Sequence, residues 1–197
     1  MTILSAIVFI AAYAIGSIPT GLLIARSRGV DLRSVGSGNI GATNVLRALG
    51  KEAAILTLLG DMAKGAIAVA IARAAGIGPL LEGLAGLTAI LGHNFSVFLR
   101  FRGGKGVATS LGVLAVLSPP VTLFTITLWL VTLKWSRISS LAALVSFGFL
   151  PFSFYMIDYS QEKMAIAAAI TILVFLRHIP NIRRLIQGTE SRIGEKR

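Results

Sequence analysis

Residues 36–47 read GSGNIGATNVLR, and the residue types in this stretch suit the binding of an anion. Gly36, Gly38 and Gly41 let the backbone turn tightly and bring several N–H groups toward one ligand. Ser37, Asn39, Thr43 and Asn44 add uncharged hydrogen-bonding side chains, and Arg47 adds a guanidinium that can fork onto phosphate. A second glycine-rich stretch, FRGGKGVAT at 101–109, sets Gly103, Gly104, Lys105 and Gly106 just before an apolar run. Glycine amides, a helix N-terminus and one lysine would there converge on phosphate. The GxxxxGK[ST] pattern of a nucleotide P-loop is absent. A plainer reading stands beside this one: the glycines only turn the chain, and Lys105 anchors it at a membrane face.

Two further clusters carry the same chemistry. In Arg137-Ile138-Ser139-Ser140 the hydroxyls either cap the following helix or face a ligand, and Arg137 faces phosphate or the lipid surface. In the stretch 177–190, Pro180 biases Ile179 away from helix, so a bend is expected at the membrane edge. That bend would tip His178 and Asn181 toward the same cavity as the glycine loops. The intrinsic pKa of His178 suits a general base near neutrality. Arg183 and Arg184 read as a lipid-facing basic patch. His93 and Ser96 would share one face of a helix, with packing the preferred role for His93. Asp61 and Lys64, at i and i+3 inside an apolar run, read first as a structural ion pair and second as a ligand contact through Lys64.

The elements that must position these residues are membrane helices. The chain has 197 residues, 55% of them hydrophobic, in long runs between polar clusters. The first run, from Ile3 to Ala25, is uncharged and too long for a cleaved signal peptide. Further spans are expected at 53–75, 80–99, 138–156 and 164–176. Two short runs, 107–117 and 121–133, flank Ser118-Pro119-Pro120 and read as a hairpin of short helices. The expectation is an all-α integral membrane protein, a seven-helix bundle with two short helices in the middle, forming one domain over 1–197. Loops at 26–51, 100–105, 134–137 and 177–197 hold sixteen of the nineteen Lys and Arg residues. By the positive-inside rule that face is cytoplasmic, with the N-terminus outside and the C-terminus inside. Membrane topology, with anionic lipid or substrate, accounts for the net charge of +11, so no nucleic-acid partner is expected. Cysteine is absent, which excludes a thiol nucleophile, thiolate metal ligation and disulfides. With two histidines and eight acids, no metal site is expected.

The strings GSGNIGATNVLR, GHNFSVFLRFRGGKGVAT, RISSL and RHIPNIRRLIQGTE resemble the motifs of the PlsY family, bacterial acyl-phosphate:glycerol-3-phosphate acyltransferases. The resemblance covers the whole chain in order. It implies transfer of an acyl group from acyl phosphate to the 1-hydroxyl of glycerol 3-phosphate, giving lysophosphatidic acid and phosphate without a cofactor. It implies a multi-pass protein of the bacterial inner membrane with a cytoplasmic active site, supplied by a soluble enzyme that makes the acyl phosphate. It implies that Ser37, Arg47, His178 and Asn181 are essential. By the same resemblance Gly103, Gly104 and Gly106 belong to the glycerol 3-phosphate site, and Glu190 supports structure. A covalent acyl-Ser37 intermediate is the mechanistic rival, disfavoured because no activating base neighbours Ser37 in sequence. An anion or phosphate-ester transporter is the alternative from another class, but the halves of the chain are not alike.

Overall fold

The computed structural model describes residues 2–194; Lys196 and Arg197 of the basic tail, and the N-terminal Met1, lie outside the described residues. Among the described residues there are eleven α-helices, one 3-10 turn and no strand. The chain forms two compact units, Met1–Leu117 and Ser118–Arg197, although its composition shows no boundary there.

In the first unit, the opening apolar run becomes a span of 25 residues, Ile3–Ser27. Pro19 divides it into α1 (Ile3–Ser17) and α2 (Thr20–Ser27), because proline has no N–H to continue the helical ladder. A loop leads to α3 (Ala42–Leu49), followed by α4 (Lys51–Ala74) and α5 (Pro79–Asn94). A 3-10 turn (Val97–Leu99) and the second glycine loop then precede α6 (Val107–Leu117). Small residues set the helix crossings, as expected where dispersion and close backbone approach drive packing in lipid. Gly16 of α1 lies on the Ala89 backbone of α5, and Gly65 and Gly112 let α4 and α6 meet at Thr109 and Met62. No side chain larger than hydrogen fits at those points.

The second unit comprises α7 (Pro119–Ser136), α8 (Ser139–Gly148), α9 (Leu150–Ile157), α10 (Gln161–Arg177) and α11 (Ile179–Ile186). Here α7 packs on α8 and α9, and α10 on the same two helices. The expected short helix at 121–133 is in fact 18 residues long. The prolines separate it from α6, as expected, and they also form its first turn, which needs no N–H donors. It runs on to Ser136 and stops at Arg137, which adopts a left-handed conformation with φ 61°. The expected span 138–156 is bent by 41° between α8 and α9. Pro151 cannot donate to the Phe147 carbonyl, and the Thr171 hydroxyl lies between that carbonyl and Ala167 O, at 2.8 and 2.9 Å, with one proton for the two.

Large apolar side chains such as Ile3, Ile10, Leu123 and Ile172 are exposed on the outsides of the units, which suits a lipid solvent. Two helices are long and apolar enough to cross a membrane alone, Ile3–Ser27 and Lys51–Ala74, and two bent pairs raise this to four. The seven crossings expected from the apolar runs exceed what length and hydropathy mark.

Candidate active site

The first glycine loop is built around one buried side chain. Asn44, 1% exposed, donates from Nδ2 to the carbonyls of Leu32, Val35 and Asn39 at 2.9–3.1 Å. Its Oδ1 accepts from the Ser37 amide at 3.0 Å. Both ends of the amide are thus engaged within the loop, so Asn44 shapes the cradle where the sequence reading has it touching substrate. The Ser37 amide is likewise committed, whereas the Ser37 and Arg47 side chains are exposed. Gly36 and Gly38 have φ of 58° and 66°, values that only glycine adopts without strain. A Cβ on Gly36 would stand 2.5 Å from Asn44 Oδ1 and 3.6 Å from Arg47 Cδ. The arginine therefore lies directly over the loop it was expected to serve. Asn39 and Thr43 are half-buried along the same segment.

The second glycine loop folds back on the end of α5. Gly103 N donates to Asn94 O at 3.1 Å and Gly104 N to His93 O at 3.0 Å. A methyl on Gly103 would overlap the His93 carbonyl, and one on Gly104 would overlap the His93 ring. These amides hold the loop to α5, in place of the expected approach to phosphate. Gly106, with φ 83°, delivers the chain into α6, leaving Lys105 half-buried beside that helix N-terminus. Arg33 Nη2 donates to Arg102 O at 2.6 Å, so the two loops are joined within the first unit. Nothing in the sequence marks Arg33 for that task beyond its place in a basic loop.

Beneath the second loop, Lys64 is buried with Asp61 Oδ1 at 2.8 Å, the ion pair that their i, i+3 spacing predicts. It also reaches His93 Nδ1 at 2.6 Å and Ile18 O at 3.0 Å. Ser96 is not on a helical face with His93, because α5 ends at Asn94. Its hydroxyl donates instead to Ser17 O at 2.6 Å.

The second unit gathers another polar cluster. Its centre is Glu190, whose Oε1 accepts from Ser140 Oγ at 2.7 Å and Asn181 Nδ2 at 2.6 Å. Oε2 accepts from Arg184 Nε at 2.6 Å, so Arg184 is not the lipid-facing charge its sequence position indicated. Burial works to raise the Glu190 carboxyl, but the hydrogen bonds from Asn181, Ser140 and Arg184, with the Arg184 charge, outweigh it and hold the carboxyl below its usual value. The capping role expected for Ser139 and Ser140 does not occur: Ile138 is the N-cap of α8 and no side chain caps it. The two serines are the first helical residues, and Ser140 is turned to Glu190. Arg137 donates through Nη2 to Ile193 O at 3.1 Å. The chain bends by 61° between α10 and α11, at His178 rather than at Ile179, which is already helical. His178 is buried and its Nδ1 lies 2.7 Å from Val174 O. A carbonyl only accepts, so Nδ1 carries a proton and donates it to Val174 O.

No group of three or more His, Asp or Glu residues able to hold a metal occurs among the described residues. The family model for glycerol-3-phosphate acyltransferase matches residues 6–188. The chain belongs to that family. It is 47% identical to the glycerol-3-phosphate acyltransferase of Rubrobacter xylanophilus, over 97% of this chain and 96% of that one. It is 52% identical to the enzyme of the same name from Cereibacter sphaeroides, over 93% and 87%. A crystal structure of PlsY (YgiH), described as an integral membrane glycerol 3-phosphate acyltransferase in its glycerol 3-phosphate form, superposes with a TM-score of 0.92 at 43% identity, over 96% of each chain. Its lysophosphatidic acid form gives 0.90 at 41% identity, over 96% of this chain and 95% of that one. An integral membrane, all-helical PlsY fold follows for this family member.

Proposed function

We propose that this chain transfers an acyl group from acyl phosphate to the 1-hydroxyl of glycerol 3-phosphate, releasing lysophosphatidic acid and inorganic phosphate. The observation that carries the reading is the match to the acyltransferase family along nearly the whole chain, including a relative solved in a glycerol 3-phosphate form. The loop geometry supports it, with Ser37 and Arg47 exposed on a rigid cradle and Lys105 at a helix N-terminus. Acyl phosphate is a mixed anhydride and already activated, so no CoA, nucleotide or metal enters the reaction.

In the proposed step, the 1-hydroxyl oxygen forms a bond to the acyl carbon and the bond from that carbon to the phosphate oxygen breaks. Ser37, Asn39 and the α3 N-terminus stabilise charge on the departing phosphate. Arg47 and Lys105 hold the phosphate groups. Asn181, its amide nitrogen fixed by Glu190, presents its carbonyl oxygen to the attacking hydroxyl. His178 Nε2 takes the hydroxyl proton as general base, and the imidazolium so formed is stabilised through Nδ1–H and the Val174 carbonyl. The proton then passes to the released phosphate. Gly103, Gly104 and Gly106 shape the second loop, and Ser139 and Ser140 stand at the start of α8.

We assign the protein to the bacterial inner membrane with seven helical crossings, the N-terminus outside and the basic loops cytoplasmic. A soluble acyl-phosphate-forming enzyme is its supplier. The test is donor exchange. Purified protein in detergent should form lysophosphatidic acid from acyl phosphate and glycerol 3-phosphate with no nucleotide or CoA present. Product only when acyl-CoA is the donor would contradict the donor assignment. No product with either would contradict the enzyme.

A further inference from the structure

Lys64 has three N–H donors and no lone pair. Asp61 Oδ1 pairs with its charge at 2.8 Å, and His93 Nδ1 and Ile18 O lie within hydrogen-bond distance at 2.6 and 3.0 Å. Since an ammonium only donates, His93 Nδ1 is the acceptor and the proton of the neutral ring is on Nε2. The Nδ1 atom of His178 does the opposite, donating to Val174 O. Asp61, Lys64 and His93 are all buried, at 2–4% exposure. Charged groups inside an apolar bundle are costly and are kept where something depends on them.

What depends on this one is the second glycine loop. The Nε2 edge of the ring lies where a Gly104 side chain would be. The His93 carbonyl and its neighbour at Asn94 take the amides of Gly104 and Gly103 at 3.0 and 3.1 Å. Lys105 follows directly. The ring thus fills the space beside Gly104, and a rotation toward the loop would press on Gly104 and on Lys105 after it. The same ammonium also holds Ile18 O, where Pro19 breaks the first span.

The geometry points to His93, held as its Nε2–H tautomer by the Asp61–Lys64 pair, as a positioning residue that sets Gly104 and thereby the Lys105 ammonium for substrate phosphate. The inference rests on the reading of Lys105 as a phosphate ligand in glycerol 3-phosphate acylation. Its two halves separate by substitution. In His93→Asn the amide oxygen falls near the Nδ1 position and keeps an acceptor for Lys64, while the ring edge against Gly104 is lost. In His93→Gln the amide reaches the Nε2 position, but Lys64 loses its acceptor.

His93→Asn should unfold in detergent at a temperature close to wild type, yet raise KM for glycerol 3-phosphate about tenfold or more with kcat within about threefold. His93→Gln should lose thermal stability and retain more of the wild-type KM than the Asn variant does. Nitrogen NMR of 15N-histidine-labelled protein is readily assigned, because the chain holds two histidines. It should show His93 protonated on Nε2, and this readout needs no substrate. A wild-type KM in a folded His93→Asn protein would overturn the inference. So would kcat and both KM values worsening in step with lost stability, or a proton found on Nδ1 of His93. An inactive wild-type protein with the Nε2–H tautomer intact would instead remove the acyltransferase reading and, with it, the role given to the ring.

Discussion

Ser37 and Asn44 stand seven residues apart in one loop and do opposite work. The Ser37 hydroxyl is exposed at the cradle surface, whereas Asn44 is buried beneath it and joins three carbonyls and an amide. Ser37→Ala should therefore lower kcat/KM by about a hundredfold, the order seen when one donor to a developing anion is removed, with an unchanged unfolding temperature. Asn44→Ala leaves buried backbone groups unpaired and should cost about 2–4 kcal/mol of stability, read by thermal unfolding in detergent, with activity lost alongside. Glu190 gives a residue-scale test in pH. Its carboxyl is held below the usual value of 4.5, so its contribution to stability is fully present above that value and is lost as pH falls through the lower folded-state pKa. Glu190→Gln should be less stable than wild type at neutral pH. The gap should narrow only in acid below that usual value, as followed by unfolding temperature against pH.

At the scale of elements, proline positions decide much of the architecture, and their meaning depends on the carbonyl each proline leaves behind. The Thr171 hydroxyl, within reach of Phe147 O and Ala167 O, is placed to give the proton that Pro151 cannot. Thr171→Val, which keeps shape and removes the hydroxyl, should destabilise the α8–α9 bend by about 1–2 kcal/mol, measured by unfolding in detergent. These cases show what was legible from the chain. The run 107–117 gives α6 with its observed bounds, because glycine and proline punctuate both ends. The run 121–133 underestimates α7. Pro119 and Pro120 both mark the break after α6 and form the first turn of α7, and the helix runs on through Lys134 to Ser136. The break at Pro151 was not legible, since the hydroxyl beside the freed carbonyl comes from α10. The polar motifs 36–47 and 101–109 were visible as glycine-rich loops with the residue types that suit an anion. The division of labour within them was not, because it depends on which amides are already paired, such as Gly103 and Gly104 on α5. Arg33 and Arg184 were likewise indistinguishable from other basic residues until their partners at Arg102 O and Glu190 were placed.

For the whole molecule, the apolar exteriors of the two units suit lipid as solvent, and the proposed orientation puts the basic loops on the cytoplasmic side. The chain has no cysteine, so single introduced thiols report topology directly. In intact cells a membrane-impermeant maleimide should label Ala74→Cys and spare Ser34→Cys, with the reverse in inverted vesicles. Labelling of Ser34→Cys from outside would invert the orientation. The central claim is the transfer itself, tested most directly by product stoichiometry. Purified protein given acyl phosphate should release inorganic phosphate and form 1-acyl lysophosphatidic acid in equal amounts, both depending on glycerol 3-phosphate. Phosphate released without lysophosphatidic acid, or at a rate indifferent to glycerol 3-phosphate, would contradict the account.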